Sequence, residues 1–336
     1  YTLNATSAQP GGQLGVTLLW RQRGATAAIY APYLHVLDKE EYSWGQDDTV
    51  GFMVGGWQEG DLFLSRHVWH VPPDAPPLDY RLLVGMSVRG PGPSPGPPRA
   101  LGNAIALTHV TVDRPGILAP GQPPPTVERP VRAWVSGGLK LLGYDAPRGP
   151  LKPGDELLVE LLWHALRAPR RDVVIKLGLT DDTGRVWVAQ TQAPVYGTFP
   201  TSHWPAGALL RDPRKLILPS GVPSGQLNLE LEAFDATTGA RLGRAILGEI
   251  EVIAPRRSFV LPPVQHPLNV NFGDEIVLRG FDLDRQSLEP NVTLRLTLYW
   301  QALKTPSRNY TVFTHLLDGA NQIVTQQDNP PVRGSS

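Results

Sequence analysis

The chain contains no cysteine, which excludes disulfides, thiolate zinc sites and cysteine nucleophiles while leaving the compartment open. It also lacks net charge. Lys+Arg 31 balance Asp+Glu 31, so nothing draws the whole molecule to nucleic acid or to an anionic membrane. No apolar stretch approaches the ~20 residues of a spanning helix, and no signal-peptide pattern opens the sequence. There is no phosphate-cradling glycine loop, dinucleotide fingerprint, His-x-His or His-Glu-x-x-His. No catalytic residue, cofactor or metal is therefore assigned. Apolar runs with helical spacing and caps are missing as well.

What remains is rich in turns. Gly 34 and Pro 35 make up about a fifth of the 336 residues, while 41% hydrophobic and 18% charged residues mark a globular chain. That balance suits short strands joined by many turns. One alternating segment ending in Trp then recurs: Leu14–Val16–Leu18–Trp20, Leu157–Val159–Leu161–Trp163 and Leu294–Leu296–Leu298–Trp300. Its period of two is that of a strand with one buried face. A proline stands ten residues before each Trp (Pro10, Pro153, Pro290), and an aspartate eighteen after (Asp38, Asp181, Asp318). Three landmarks in three copies identify an internal repeat.

The reading is an all-β protein of tandem β-sandwich modules, immunoglobulin-like or jelly-roll-like, two near-complete and one cut short. Module 1 covers 1–114 and lacks the start of its first strand; a Pro-rich linker covers 115–130. Module 2 covers 131–254, a second linker 255–264, and module 3 265–336, without its C-terminal half. Module 3 is expected to leave a sheet edge and an apolar face exposed. In module 2 the strands are read as Gly138–Tyr144, Glu156–Trp163, Val173–Thr180, Val186–Thr191, Arg214–Leu218, Gln226–Phe234 and Gly248–Ile253, at sandwich spacing. A Pro/Gly insert, 91–98, reads as a loop tip.

The repeat moves most aromatics into the scaffold. Trp20, Trp163 and Trp300 share the apolar parity of their strand. Trp44 and Trp187 are equivalent and give way to Val324 in the third copy. Trp57 and Trp204, in turn-rich sequence, are either loop plugs or ligand platforms. Trp134 pairs with Asn271 and has no role common to the copies. Ligand-binding candidates are thus Trp57, Trp204 and Trp134, with His203 and Tyr196 beside Trp204. His35 and His315 are equivalent, but Gly178 replaces them in the middle copy, so no shared metal site is assigned. Asp38, Asp181 and Asp318 precede turn residues, where aspartate caps its own backbone.

Several strings carry a family resemblance: His266-Pro267-Leu268, Phe272-Gly273-Asp274, Leu278-Arg279-Gly280-Phe281, Leu298-Tyr299-Trp300-Gln301-Ala302, Tyr310-Thr311-Val312-Phe313-Thr314-His315, and Pro200-Thr201-Ser202-His203-Trp204. The chain resembles the extracytoplasmic β-sandwich domains that follow the membrane part of bacterial polytopic glycosyltransferases, of the protein-mannosyltransferase and aminoarabinose-transferase type. The resemblance implies an extracytoplasmic, non-catalytic accessory array touching glycan or cell-envelope polymer, where weak repeated sites add through avidity. A purely structural spacer or protein-contact module is the alternative, and a hydrolase with carboxylates across a cleft the third reading.

Overall fold

A computed structural model describes residues 1–24, 29–48, 52–53, 58–89, 99–100, 102–136, 138–254, 260–287, 292–304 and 310–329. Trp57, Pro290, the 91–98 insert, residues 255–259 of the second linker and the Trp134 side chain lie outside the described part. Apart from two single 3-10 turns, Val195–Gly197 and Thr201–His203, the regular structure among the described residues is β. No helix among them is long and apolar enough to cross a membrane.

The chain forms two compact units. One combines Tyr1–Gly149, Glu156–Ile217 and Gln226–Ile250; the other combines Pro150–Asp155, Leu218–Gly225 and Glu251–Ser336. Module 1 contains β1 (Thr2–Leu3), β2 (Ser7–Ala8), β3 (Gln13–Arg21), β4 (Ile29–Leu37), β5 (Ser43–Asp48), β6 (Phe52–Met53), β7 (Leu62–His70), β8 (Asp79–Arg89), β9 (Arg99–Ala100) and β10 (Ile105–Val112). They form one sheet in the order β1-β3-β7 and another in the order β2-β10-β8-β4-β5, with β6 on β4 and β9 on β8.

Module 2 follows with β11 (Gly116–Ile117), β12 (Arg129–Ser136), β13 (Leu139–Asp145), β14 (Glu156–Ala165), β15 (Val173–Thr180), β16 (Val186–Gln192), β17 (Ala208–Ile217), β18 (Gly225–Asp235) and β19 (Arg241–Val252). Its sheets run β11-β17-β14-β13-β12 and β16-β15-β18-β19. Module 3 gives β20 (His266–Phe272), β21 (Ile276–Leu283), β22 (Leu296–Ala302), β23 (Val312–Leu317) and β24 (Ile323–Asn329), paired as β20-β21-β22 and β23-β24.

Several details depart from the sequence reading, among them the start of β19 at Arg241 rather than Gly248. The stretch read as a connector enters the sheet: Gly116 and Ile117 pair with Leu209 and Ala208. Strand β17 begins at Ala208, not Arg214, because Pro213 does not break it. Pro213 lies opposite Glu160 of β14, and β11 has ended by then, so the missing N–H falls on a free edge.

Alternation builds the cores. Leu14, Val16 and Leu18 of β3 are buried with Leu34, Val36, Tyr80, Leu82 and Val110. Leu157, Val159, Leu161 and Trp163 of β14 are buried with Ile175, Leu177, Leu179, Leu229 and Leu231. Each such side chain contributes about 1.5–3 kcal/mol relative to exposure. Pro10 and Pro153 occupy the second position of turns leading into β3 and β14. These turns close by Gly12 N–H to Gln9 O at 2.8 Å and Asp155 N–H to Lys152 O at 3.0 Å, where proline is preset. In the second unit the apolar residues stay more open, with Leu296, Phe313, Leu317, Ile323 and Val324 exposed.

The Trp that ends the anchor strand always finds a polar partner in the first unit. Trp163 Nε1 donates to Asp212 Oδ2 at 3.2 Å, and Asp212 receives Arg214 through Nη2 at 2.8 Å. Both partners are buried, and Arg214 also donates to Ala193 O at 3.1 Å. In module 1, Trp20 Nε1 donates to Ser65 Oγ at 2.8 Å, and Ser65 is bonded to His67 Nε2 at 3.0 Å. The register is the same: Trp20 faces Phe63, and Trp163 faces Leu210. An ion pair under one tryptophan is thus a hydroxyl–imidazole pair under the other. His70, three residues beyond the buried His67, faces solvent, as strand alternation requires.

The repeated aspartates close their own hairpins. Asp38 Oδ1 accepts from the Glu40 and Tyr42 N–H groups at 2.9 and 3.0 Å. Asp181 Oδ1 accepts from Thr183 and Arg185 at 3.0 Å each, and Asp318 Oδ1 from Ala320 and Gln322 at 2.8 and 2.9 Å. In each turn the residue three beyond the aspartate has φ of +61° (Glu41), +82° (Gly184) or +61° (Asn321), the three-residue hairpin geometry. The second oxygen takes the following indole: Trp44 Nε1 to Asp38 Oδ2 at 2.8 Å, Trp187 Nε1 to Asp181 Oδ2 at 3.0 Å.

Candidate functional site

The residues singled out as ligand platforms have other partners. Trp204 is wholly buried, its Nε1 donating to Phe199 O at 3.0 Å and its ring stacked 6.3 Å from Phe199. The loop folds inward at Thr201, whose Oγ1 accepts the Val173 N–H at 2.9 Å, so Trp204 is a plug with no face for a ligand. Tyr196 is half-buried at the junction of modules 1 and 2, donating through its hydroxyl to Asp38 Oδ2 at 2.9 Å. Burial, then the Asp38 charge, hold its pKa well above the ordinary phenol value. Lys39 Nζ lies 5.6 Å from its ring centroid. Tyr196 is therefore a junction residue, not an open platform. His203 is exposed at the end of its 3-10 turn. Trp134 lies on β12.

Carboxylates do converge, but on a guanidinium. Arg211 reaches Asp74 at 2.9 Å, Asp145 at 2.8 Å and Glu160 at 3.1 Å, and the Tyr42 hydroxyl donates to Glu160. Burial alone would lower the Arg211 pKa, but Asp74, the Asp145 hydrogen bond and Glu160 outweigh it and raise it. This cluster is a clasp between modules. Among the described residues, no three of His, Cys, Asp or Glu gather as metal ligands.

The outer sheet faces carry a different set. On β4, Leu34 and Val36 point into the core, so Tyr33 and His35 point out. Their rings are 4.7 Å apart. Register places Gln46 opposite His35 and Asp48 opposite Tyr33. His35 Nε2 lies 3.5 Å from Asp48 Oδ1, and Gln46 Nε2 donates to Asp48 Oδ2 at 3.3 Å. Tyr33 stands across from Gly85 of β8, and a Cβ there would overlap the Tyr33 ring. Glycine at 85 thus lets the ring settle on the sheet.

Module 3 repeats this constellation. His315 lies opposite Gln326, and Phe313 opposite Asp328. The Phe313 and His315 rings are 5.5 Å apart, and Phe313 is 69% exposed. An aromatic, a histidine, an amide and a carboxylate therefore share one sheet face in modules 1 and 3. Module 2 has Lys176, Gly178, Ala189 and Thr191 at the matching register. The sequence offered His35 and His315 as equivalents; the replacement at Gly178 hid a feature that two modules share.

No family model matches the sequence, and none of the curated proteins does. Among solved structures, the crystal structure of the C-terminal domain of wzt aligns with a TM-score of 0.31 and 13% identity, covering 43% of this chain and 93% of that one. A likeness of that strength carries neither ligand nor activity across.

Proposed function

We propose that this chain is a non-catalytic binding array, working outside the cytoplasm, which contacts a glycan through the outer sheet faces of modules 1 and 3. The observation behind this reading is the aromatic–His–Gln–Asp set, present at the same register in both. A ring lying along a sheet offers its face to the apolar side of a pyranose. The imidazole, amide and carboxylate beside it supply the donors and acceptors that sugar hydroxyls need. The extracytoplasmic setting rests on the family resemblance of the sequence.

A spacer role is favoured by one further observation, the Arg211 clasp that fixes module 1 to module 2. Such a clasp also suits a scaffold that presents sites on rigid elements. Affinity electrophoresis of the whole chain through gels containing neutral polysaccharides (β-glucan, mannan, dextran) separates the two. Retention should appear on at least one polymer and fall about tenfold in Y33A/F313A, with unchanged thermal unfolding. Equal retention by the variant, or none on any polymer, leaves the spacer reading.

A further inference from the structure

Module 2 departs from its neighbours on this same outer face, and the departure forms a groove. Gly178 lies opposite Ala189 on one side and Glu230 on the other. A Cβ on Gly178 would stand 2.6 Å from Val188 O and 2.8 Å from Ala189 Cβ, so the floor is kept bare by two small residues. The resulting depression has a volume of about 250 Å³ and is walled by Lys176, Glu230, Glu232, Arg241 and Arg244. In module 1 the floor positions are filled by His35 and Gln46.

The charges are layered. Glu230 and Glu232 lie low, with side chains 10% and 15% exposed, whereas Arg241 and Arg244 stand at 59% and 54%. Lys176 Nζ holds Glu232 at 2.9 Å, and Arg241 Nη1 reaches it at 3.4 Å. The Lys176 hydrogen bond, with Arg241 helping, keeps the Glu232 carboxyl below its usual range, so it stays ionised. Arg244 holds Glu230 through Nε, and its terminal nitrogens have no hydrogen-bond acceptor among the described residues, on a side chain that is 54% exposed. The carboxylates orient the cations, and an incoming ligand meets the cations.

We infer that this groove is a second binding site, for the carboxylate groups of an acidic glycan, with Arg244 and Arg241 as the recognising residues. A guanidinium anchored through one nitrogen presents its remaining N–H pair in the planar fork that fits a carboxylate. Anchoring also removes much of the rotamer freedom that a loose arginine would lose on binding. That a glycan carries the carboxylate rests on the reading above; that the groove takes a carboxylate does not.

The test is affinity electrophoresis of the whole chain through polygalacturonate, dextran sulfate and dextran, at 50 and 200 mM salt. Polygalacturonate should retain the protein more than dextran sulfate at both salts. R241Q/R244Q should lose at least tenfold of that retention, and A189L, which fills the floor from a position that already carries a Cβ, should lose it too. Y33A/F313A should leave it unchanged while losing retention on neutral polymer, so each site fails separately. Equal retention by both polyanions, undiminished retention in R241Q/R244Q with native unfolding behaviour, or no retention on polygalacturonate overturns the assignment. Both arginines are more than half exposed, but Glu230 loses its cation in the variant, so retention is compared only where R241Q/R244Q keeps native thermal unfolding.

Discussion

Arg211 holds Asp74 twice: its Nε lies 2.9 Å from the carboxylate, and its backbone N–H donates to the Asp74 carbonyl at 2.9 Å. One residue of module 2 thus grips one residue of module 1 through both main chain and side chain. The Asp74 side chain is 3% exposed and that of Arg211 15%, so solvent screens the pair little. With Asp145 and Glu160 on the same guanidinium, modules 1 and 2 share a charge network rather than a flexible hinge.

Removing the guanidinium leaves three carboxylates facing one another in a half-buried junction. Arg211→Met is expected to destabilise the chain by about 3 kcal/mol. Adding Asp74→Asn should return part of the loss, since one uncompensated charge disappears. Urea unfolding of the single and double variants measures both, as a double-mutant cycle.

The buried pair Asp212 and Arg214 gives a second test. Arg214→Met strands a carboxylate that still accepts the Trp163 and Val195 N–H groups, at a cost of about 3–5 kcal/mol. Module 1 already contains another solution, Ser65 and His67 beneath Trp20. Asp212→Ser/Arg214→His is therefore expected to be more stable than Arg214→Met alone, by thermal unfolding under the same conditions.

Acid should loosen the aspartate turns first. The Thr238 backbone N–H, the Arg171 side chain and the Thr237 N–H hold the Asp235 pKa at about 2, against an ordinary 3.8. The folded value lies below the unfolded one, so this stability is fully present above about pH 4 and is lost as pH falls towards 2. Asp181 is lowered too, chiefly by the Thr183 hydroxyl. Melting temperatures between pH 6 and 2 should fall in that window, and Asp235→Asn should flatten the fall. A pH-independent difference between variant and parent would mean that the charge is not what the turn uses.

Gly85→Ala probes the platform without touching it. The added methyl displaces the Tyr33 ring from the sheet, and retention on neutral polysaccharide should drop several-fold while module 1 still unfolds cooperatively. Unchanged retention would show that the ring does not bind by lying flat.

The fold was readable because burial alternates strictly along Leu14–Val16–Leu18 and Leu157–Val159–Leu161, and a period of two fixes which side faces the core. The start of β17 was hidden by Pro213, whose effect depends on what lies beside the strand, a tertiary fact. Trp204 looked like a platform because its neighbours are turn-formers; only the path of the loop shows the ring turned in. The outer-face set was the least visible. Tyr33, His35, Gln46 and Asp48 meet through cross-strand register, and residues on different strands carry no mark of shared register in their spacing. The groove residues stood in the polar parity of β15 and β18, where an ordinary solvated face looks the same.

Tandem modules of similar sequence face a hazard in folding, because a strand from one can pair in the place of its counterpart in another. The aspartate turns bear on that hazard. Each joins groups no more than six residues apart, as in Asp38 with Trp44 and Asp181 with Trp187, so the chain closes them at little entropic cost and before distant contacts form. A hairpin already tied at its tip has its two strands committed to each other. Exchange between modules then requires undoing a turn that each module makes alone.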